Sequence, residues 1–472
     1  MNIIYLHTHD IGRYVQPYGY PPNMPNLQRL AEEGVLFRNA FSAAPTCSPS
    51  RAALLTGQYP HQCGMFGLTN QGWLLNDYSR HLAGFLGRQG YETALAGIQH
   101  VTGVHPDELR RLPYDHFLTE SVNELTESID QGPPKEDVTT EQAAAFIKAG
   151  HDAPFFLTIG YGLTHHKRWD YSFCRSRDAL GPLDCRYARP LPHLPDTPAT
   201  RWEAAMHYRA AEYLDLHIGR ILAAVDEAGI ADDTLLFFTT DHGPGLPGVK
   251  VNLNDRGCGV ALIMRGPRGF SGGKVLEGLA HHIDLYPTFC EMLDLAPPPW
   301  TEGRSLLPMV RGETGGTNEM IFNEQNYHGA FVPLRSVRTE RYRYVRRIGE
   351  AKSALRYSAD GGCAYDFLEE HGLDEVLVPE EQLFDLALDP NELVNVAGRE
   401  PYADALIAMR GHLDEWLART DDPFRTHSIP EPPGQPPWDR EARPINEARR
   451  HAWIKRREEL QALDARDSGL NA

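Results

Sequence analysis

The chain has 472 residues, 41% of them hydrophobic, so it can bury a large core and is long enough for two domains. Its formal net charge of -18 argues against nucleic acid or an anionic membrane surface as the main partner, and would repel a long polyanion. No run approaches the roughly 18 consecutive apolar residues of a membrane span, and the chain enters a strand after Met1 without a basic, apolar leader. These features predict a globular, cytoplasmic protein.

The apolar pattern alternates between strand and helix from the start of the chain. In chain order it predicts a strand at 2–8, a helix at 25–33, a strand at 35–42, a helix at 80–89, a strand at 92–98, a helix at 139–149, a strand at 154–161, a helix at 201–228, and strands at 234–240 and 260–265. Strands buried on both faces and separated by helices are typical of a mostly parallel sheet between helical layers. The predicted fold class is therefore α/β.

After about residue 320 the pattern changes to polar, hairpin-like strands at 334–338 and 342–345, followed by a helix at 401–419. This change predicts a large domain at 1–320 and a smaller α+β domain at 321–425.

The last segment, 426–472, begins with a proline-rich stretch at 429–437 and continues into a charged, helical pattern at 441–465. Such a composition is typical of a stiff linker followed by an arm. Scattered apolar positions in the arm predict that it can hold a homo-oligomer together. A solvated terminus is the alternative.

Seven cysteines are spread along the chain without a CxxC pair or a zinc-like spacing. The odd number and the wide spread argue against a disulfide framework. A free cysteine packs like a small hydrophobe, so six of the seven are interpreted as packing or surface thiols: Cys63, Cys174, Cys185, Cys258, Cys290 and Cys363.

Polar residues follow several predicted strands, at the position where ligands bind in open parallel sheets. The first strand ends in His9-Asp10, and the strand at 234–240 ends in Asp241-His242. Two such pairs at equivalent strand ends can ligate one cation through carboxylate oxygens and imidazole nitrogens. For each pair alone, a turn-capping aspartate and a packed histidine remain the alternative. His100 and His165 also follow strands, but a lone histidine is more often structural.

The run from Cys47 to Arg51 begins a short predicted helix that ends at Gly57. Pro49 suits the first turn and Gly57 the C-terminal stop. Cys47 then lies beside the helix N-terminus, where free N–H groups and the positive end of the dipole favour an anion. The residues alone predict an activated thiol, with Arg51 pairing with an anionic substrate. A buried packing cysteine is the alternative.

This run resembles the signature of the formylglycine-dependent sulfatases of the alkaline phosphatase superfamily, Cys-x-Pro-Ser-Arg followed by Leu-Thr-Gly. The motif is specific because a modifying enzyme reads it. The similarity covers nearly the whole chain through further landmarks, which are His9-Asp10, Gly97-Ile98-Gln99-His100, Thr164-His165, Asp241-His242-Gly243 and Lys250. Within the family the chain most resembles the sulfamidases, the heparan N-sulfatases, through segments 61–68, 303–308, 334–337 and 382–385.

The resemblance implies that a formylglycine-generating enzyme converts Cys47 to the catalytic aldehyde, whose hydrate attacks sulfur. It implies that His165 is the general acid for the leaving group and that His100 takes the proton that restores the aldehyde. It also implies that Arg51 and Lys250 neutralise charge on the anion.

The resemblance further implies one divalent metal, bound by Asp10, Asp241 and His242, with His9 as a fourth ligand or a neighbour. Residue 47 also belongs to this set of metal-site residues. The family uses Ca²⁺, but His9 stands where an acidic ligand is usual. Two imidazoles with two carboxylates lean toward Mn²⁺, Fe²⁺ or Zn²⁺. Ile98 stands where the family usually has a lysine, so one cationic contact is missing.

The predicted function is hydrolysis of a sulfate ester or sulfamate of a small sugar. His242 at a position that is usually Asn resembles the phosphonate monoester hydrolases, so phosphonate monoester or phosphodiester hydrolysis is an alternative. The departures at Ile98 and His9 leave a third hypothesis, a catalytically weak protein that binds an anionic ligand.

Three residues are implied as substrate contacts, because in sulfamidase-like relatives the segment before the Arg-Ser-Val strand contacts the sugar. They are Glu324, His328 and Arg335. Glu324 and Arg335 also fit a surface ion pair.

Overall fold

A computed structural model describes residues 1–103, 105–119, 135–165, 180–181, 183–351, 353–354 and 360–434, with positions 455, 458 and 462. Its strands are β1 (Asn2–Thr8), β2 (Val35–Phe41), β3 (Glu92–Gly97), β4 (His116–Phe117), β5 (Phe155–Gly160), β6 (Thr234–Thr240), β7 (Gly259–Val260), β8 (Leu262–Arg265), β9 (Lys274–His281), β10 (Met320–Tyr327), β11 (Phe331–Thr339), β12 (Tyr342–Arg347) and β13 (Glu381–Asp385). Its helices are α1 (Pro25–Glu33), α2 (Cys47–Thr56), α3 (Pro60–Cys63), α4 (Leu82–Arg88), α5 (Pro106–Leu109), α6 (Lys135–Lys148), α7 (Pro198–Glu227), α8 (Asp255–Cys258), α9 (Leu285–Met292), α10 (Leu307–Val310), α11 (Cys363–Glu370) and α12 (Ala403–Arg419).

The large sheet has nine strands in the order β4, β3, β5, β1, β6, β8, β2 and β7, with β9 beside β2. Side chains of β1 alternate between its two faces: Ile3 and Tyr5 join one apolar core, and Ile4 and Leu6 join the other. The neighbours β3, β5, β1 and β6 run parallel, so their carboxyl ends meet at one edge of the sheet. The predicted α/β fold with a large, mostly parallel sheet is confirmed.

Two predicted elements differ in their bounds for local reasons. The predicted helix at 201–228 begins earlier, at Pro198, because Thr197 caps its N-terminus and proline is favoured in the first turn. The predicted strand at 260–265 is divided into β7 and β8, because the N–H of Ala261 donates to the carbonyl of Gly12 at 3.0 Å.

The small sheet is antiparallel, in the order β10, β11, β12 and β13. Its apolar face packs on α12 through Val337, Tyr344, Leu413 and Trp416. The predicted hairpin strands and closing helix are confirmed, and the division into domains at residue 320 stays a prediction.

The proline-rich stretch contacts the rest of the described chain as far as Gly434. This differs from the free linker that the composition predicts. Tyr327 Oη donates to the carbonyl of Pro430 at 3.1 Å, and the N–H of Gly434 donates to the carbonyl of Gln71 at 2.9 Å. The charged segment at 441–465 lies outside the described residues except at 455, 458 and 462, so the oligomer stays a prediction. No described helix is long and apolar enough to cross a membrane.

Candidate active site

Four neighbouring strands bring carboxylates and histidines to one edge of the large sheet. Asp10 follows β1, Asp241 and His242 follow β6, His100 follows β3 and His165 follows β5. The side chains of Asp10, Asp241 and His242 are fully buried, whereas the side chain of His165 is 15% exposed. His165 therefore lies on the outer side of this cluster.

The helix α2 points its N-terminus at the same edge. Cys47 is its first residue and Gly57, at φ 67°, ends it in the left-handed region that glycine tolerates. Ser50 Oγ donates to the carbonyl of Asp241 at 2.6 Å, and Cys47 Sγ lies 3.3 Å from His242 Nε2. Burial raises the pKa of the Cys47 thiol well above its usual range, with Lys250 opposing it, so an activated thiolate is not favoured.

The guanidinium of Arg51 ties the ends of β1 and β6 together. Its Nη2 donates to Asp241 Oδ2 at 3.0 Å and to the carbonyl of Thr8 at 3.1 Å, while Nη1 contacts His7 Nδ1. Its Nε is buried and has no partner among the described residues. Arg51 therefore positions Asp241 against the end of β1.

Asp10, Cys47, Asp241 and His242 form a donor set that fits a divalent cation. Their potential ligand atoms lie within 4.8 Å of one another. His242 Nε2 is 3.3 Å from Asp10 Oδ1 and 3.6 Å from Asp241 Oδ2. In the described part of the chain, Asp10 Oδ1 is buried without a hydrogen-bond partner, which a bound cation would provide.

His9 lies beside this set. Its Nδ1 is 3.2 Å from Asp241 Oδ2, and neither of its ring nitrogens has a hydrogen-bond partner among the described residues. It also belongs to an overlapping group of potential ligands with Asp10, Cys47 and His165. The geometry leaves His9 able to serve as a ligand or as a neighbour of one.

The Asp241 carboxylate is held in its charged form. Its Oδ1 accepts hydrogen bonds from the backbone N–H groups of Asp10 and His242, each at 2.9 Å. Burial alone would raise the pKa of Asp241, but His242, Arg51 and His9 outweigh burial and hold that pKa well below its usual range.

Lys250 reaches the cluster from the loop after β6. Its Nζ is 2.9 Å from Asp10 Oδ2 and also 2.9 Å from Asp360 Oδ2. Sequence reasoning missed Asp360, which lies between β12 and α11, far along the chain and in no motif. His165 completes this side of the cluster, with Nε2 4.0 Å from Asp10 Oδ2.

His328 follows β10 and lies close to the cluster. Burial, together with the charge of Lys250, lowers the pKa of His328 to about 3. Its carbonyl accepts a hydrogen bond from Gln71 Nε2 at 2.6 Å, and its Nδ1 is buried without a partner in the described chain. Of the three proposed substrate contacts, His328 is the one adjacent to the cluster.

Ile98, which directly follows β3, is buried and offers no charge to the site.

Glu324 and Arg335 lie elsewhere, in a buried network, and the interpretation as a surface ion pair is wrong. Glu324 accepts a hydrogen bond from the N–H of His61 at 2.8 Å and contacts its Nδ1. Arg335 donates to both oxygens of Asp422, at 2.6 and 2.9 Å. All four side chains are at most 2% exposed, so neither Glu324 nor Arg335 offers an open surface to a substrate. Their role is to join the small sheet to α3 and to the segment after α12.

Replacing Arg335 with alanine is expected to lower the free energy of unfolding by about 3–5 kcal/mol, because Asp422 would stay buried without its bidentate partner. The matched control is Arg110→Ala, which removes a pair with Asp107 in which the two side chains are 78% and 90% exposed, and it should cost under about 1 kcal/mol. Urea denaturation of both variants checks this. Equal, small losses would mean that the buried pair does not stabilise the fold.

Known proteins include similar sequences. A family model described as Sulfatase matches residues 1–295. The N-sulphoglucosamine sulphohydrolase of Homo sapiens is 28% identical over 448 residues, covering 85% of this chain and 86% of that protein.

Solved structures share the fold. One, described as in complex with its substrate D-glucosamine-2-N,6-O-disulfate, has a TM-score of 0.69 and 18% identity, covering 89% of this chain and 98% of that chain. The phosphonate monoester hydrolase of Agrobacterium radiobacter has a TM-score of 0.65 and 21% identity, covering 89% and 96%.

Proposed function

The chain belongs to the sulfatase family, and from that premise we propose that it hydrolyses a sulfate ester or sulfamate of a small sugar through a formylglycine at residue 47. The observation that carries the proposal is the approach of Cys47, at the N-terminus of α2, to His242 at the end of β6. An anion is favoured at that helix end. The name of the human relative supports a sulfamate, and the glucosamine disulfate of the similar structure supports an amino sugar. The modifying partner would be a formylglycine-generating enzyme.

We also propose one divalent cation, held by Asp10, Asp241 and His242 beside residue 47, with His9 as a fourth ligand or neighbour. When present, the cation supplies Lewis-acid stabilisation and the aldehyde supplies an oxygen nucleophile. The mixed carboxylate and imidazole donors favour Mn²⁺, Fe²⁺ or Zn²⁺ over the Ca²⁺ that is usual in the family.

The chain's own side chains hold the anion and move protons around it. Burial disfavours the ammonium of Lys250, but Asp10 and Asp360 outweigh burial and raise its pKa, so Lys250 stays charged and faces the anion. His165, on the outer side, donates a proton to the leaving oxygen or nitrogen. Burial and the charge of Arg51 lower the pKa of His100 well below its usual range, which keeps it neutral. We assign to this neutral imidazole the proton that is removed when the aldehyde is restored.

Phosphonate monoester hydrolysis is the second candidate, favoured by His242 in the donor set and by the likeness in fold to a phosphonate monoester hydrolase. A catalytically weak, anion-binding protein is the third, because Ile98 brings no charge. Rates on an aryl sulfate, an aryl phosphonate monoester and glucosamine N-sulfate separate the three. Preference for either sulfur substrate supports the proposal, preference for the phosphonate supports the second candidate, and no turnover of any of them supports the third.

Replacing His328 with alanine is expected to lower kcat/KM for glucosamine N-sulfate by about 10-fold to 100-fold and for a small aryl sulfate by under about 3-fold. The aryl group has no sugar hydroxyls for the buried ring nitrogen of His328 to bind. The control is His371→Ala, an exposed histidine that directly follows α11, which should change neither value. Equal losses on both substrates would show that His328 supports the fold or the chemistry and does not contact the sugar.

A further inference from the structure

His7 is a buried polar residue of β1 that the sulfatase chemistry described above does not use. Side chains alternate along a strand, so His7 shares a face of β1 with Tyr5, and their ring centroids are 4.6 Å apart. Tyr5 joins the same apolar core as Leu54 and Leu55 of α2, so His7 lies on the side of the sheet that α2 covers. A polar ring that is 2% exposed beside an apolar core needs a hydrogen-bond partner there.

The partner of His7 is Arg51, one turn along α2 from Cys47. Nη1 of Arg51 donates a hydrogen bond to His7 Nδ1. Because a guanidinium has only donors, Nδ1 is the unprotonated nitrogen, and His7 is a neutral ring with its proton on Nε2. The neighbouring strand leaves room for this ring. Gly160 pairs with His7 in the register of β1 and β5, and a Cβ at Gly160 would lie 2.5 Å from His7 Cε1.

The same guanidinium holds a carboxylate of the cluster. Its Nη2 donates to Asp241 Oδ2 at 3.0 Å and to the carbonyl of Thr8 at 3.1 Å. Because the guanidinium is planar, the acceptor at Nη1 sets the direction in which Nη2 points. Without that acceptor the buried Nη1 would turn toward another one, since a buried donor without a partner is costly, and Nη2 would move away from Asp241. His7 is uncharged, so it does not compete with Asp241 for the charge of Arg51.

We propose that His7 is a positioning residue of the active site, which accepts a hydrogen bond from Arg51 Nη1 and thereby holds Nη2 against Asp241, the proposed metal ligand. The inference deepens the proposed function and rests on it, since it takes Asp241 as a ligand of the cation. His7 acts through Arg51 and contacts neither the anion nor the cation. A partner that fixes a ligand contributes to metal affinity and to activity together.

Two substitutions separate positioning from packing. His7→Asn keeps an uncharged acceptor, because Asn Oδ1 takes the place of Nδ1, whereas His7→Leu fills the apolar space and has no acceptor. Calorimetric titration with Mn²⁺, and separately with Ca²⁺, measures the metal Kd, and hydrolysis of an aryl sulfate measures kcat. His7→Leu is expected to raise the metal Kd by about 10-fold to 100-fold and to lower kcat by a similar factor. His7→Asn should stay within about 3-fold of the wild type in both.

The control is His81→Leu, because His81 is a buried histidine at the N-terminus of α4 whose Nδ1 accepts a hydrogen bond from the N–H of Ala83 at 3.1 Å. This variant should have a lower Tm and an unchanged metal Kd. If His7 only packs, His7→Leu should bind metal and turn over at least as well as His7→Asn, and that result would overturn the inference.

A neutron crystal structure of the wild type tests the hydrogen bond without any variant. Deuterium is expected on Nε2 of His7 and not on Nδ1, and deuterium on Nδ1 would overturn the inference.

The metal Kd also separates the inference from the proposed function. If the aldehyde-bearing wild type hydrolyses no sulfate ester or sulfamate, the proposed function fails, and the Kd values of the wild type, His7→Leu and His7→Asn decide the inference by themselves. A wild type that binds neither Mn²⁺ nor Ca²⁺ more tightly than Asp241→Asn does would overturn the inference, since Asp241 would then hold no cation.

Discussion

Replacing Cys47 with alanine is expected to lower kcat for an aryl sulfate at least about 10⁴-fold. Cys47, at the N-terminus of α2, is the residue proposed to become the nucleophile, and alanine cannot replace it in that role. Alanine fits the first helical position and the buried space of Cys47, so the fold should be retained. Steady-state kinetics with circular dichroism on the same preparation check both parts.

The control for this variant is Cys185→Ala, since Cys185 is a partly exposed cysteine in another part of the chain. Its kcat should stay within about 2-fold of the wild-type value. An alanine variant at position 47 that kept most of its activity would show that the nucleophile lies elsewhere.

Asp241→Asn is expected to lose bound metal and to lower kcat more than about 100-fold. This loss exceeds the one expected when a residue that only hydrogen-bonds to a metal ligand is replaced. Asp241 accepts two backbone hydrogen bonds and the guanidinium of Arg51, so its carboxylate is already fixed where a cation would be held. Mass-spectrometric metal analysis and kinetics on the same sample test whether metal and activity fall together.

Asp233→Asn is the matched control, because Asp233 immediately precedes the opposite end of β6 and is 74% exposed. It should keep both metal and activity. Full activity of metal-free wild-type protein in chelator would contradict the proposed role of the cation.

Much of this site could be predicted from the sequence because its residues follow local patterns. Asp10, Asp241, His100 and His165 each come within a few residues of the end of an apolar strand, and parallel strands necessarily bring those ends to one edge. The position of Cys47 at a helix start followed from Pro49 and Gly57.

The remaining features depend on contacts between distant segments, which no local pattern records. Asp360 meets Lys250 across 110 positions of sequence, and only the folded small sheet brings them together. The sequence around Glu324 and Arg335 is typical of an exposed, polar strand. In the structure both are buried, because His61 pairs with Glu324 and Asp422 pairs with Arg335. The proline-rich stretch read as a linker because composition does not indicate that Gly434 bonds to Gln71.

The mass of the tryptic peptide 39–51 tests the central claim most directly, because it contains residue 47 and ends at Arg51. For protein produced together with a formylglycine-generating enzyme, the expected mass is that of the peptide in which one oxygen replaces the sulfur and two hydrogens of Cys47. An active preparation in which this peptide carried only unmodified cysteine would contradict the proposal.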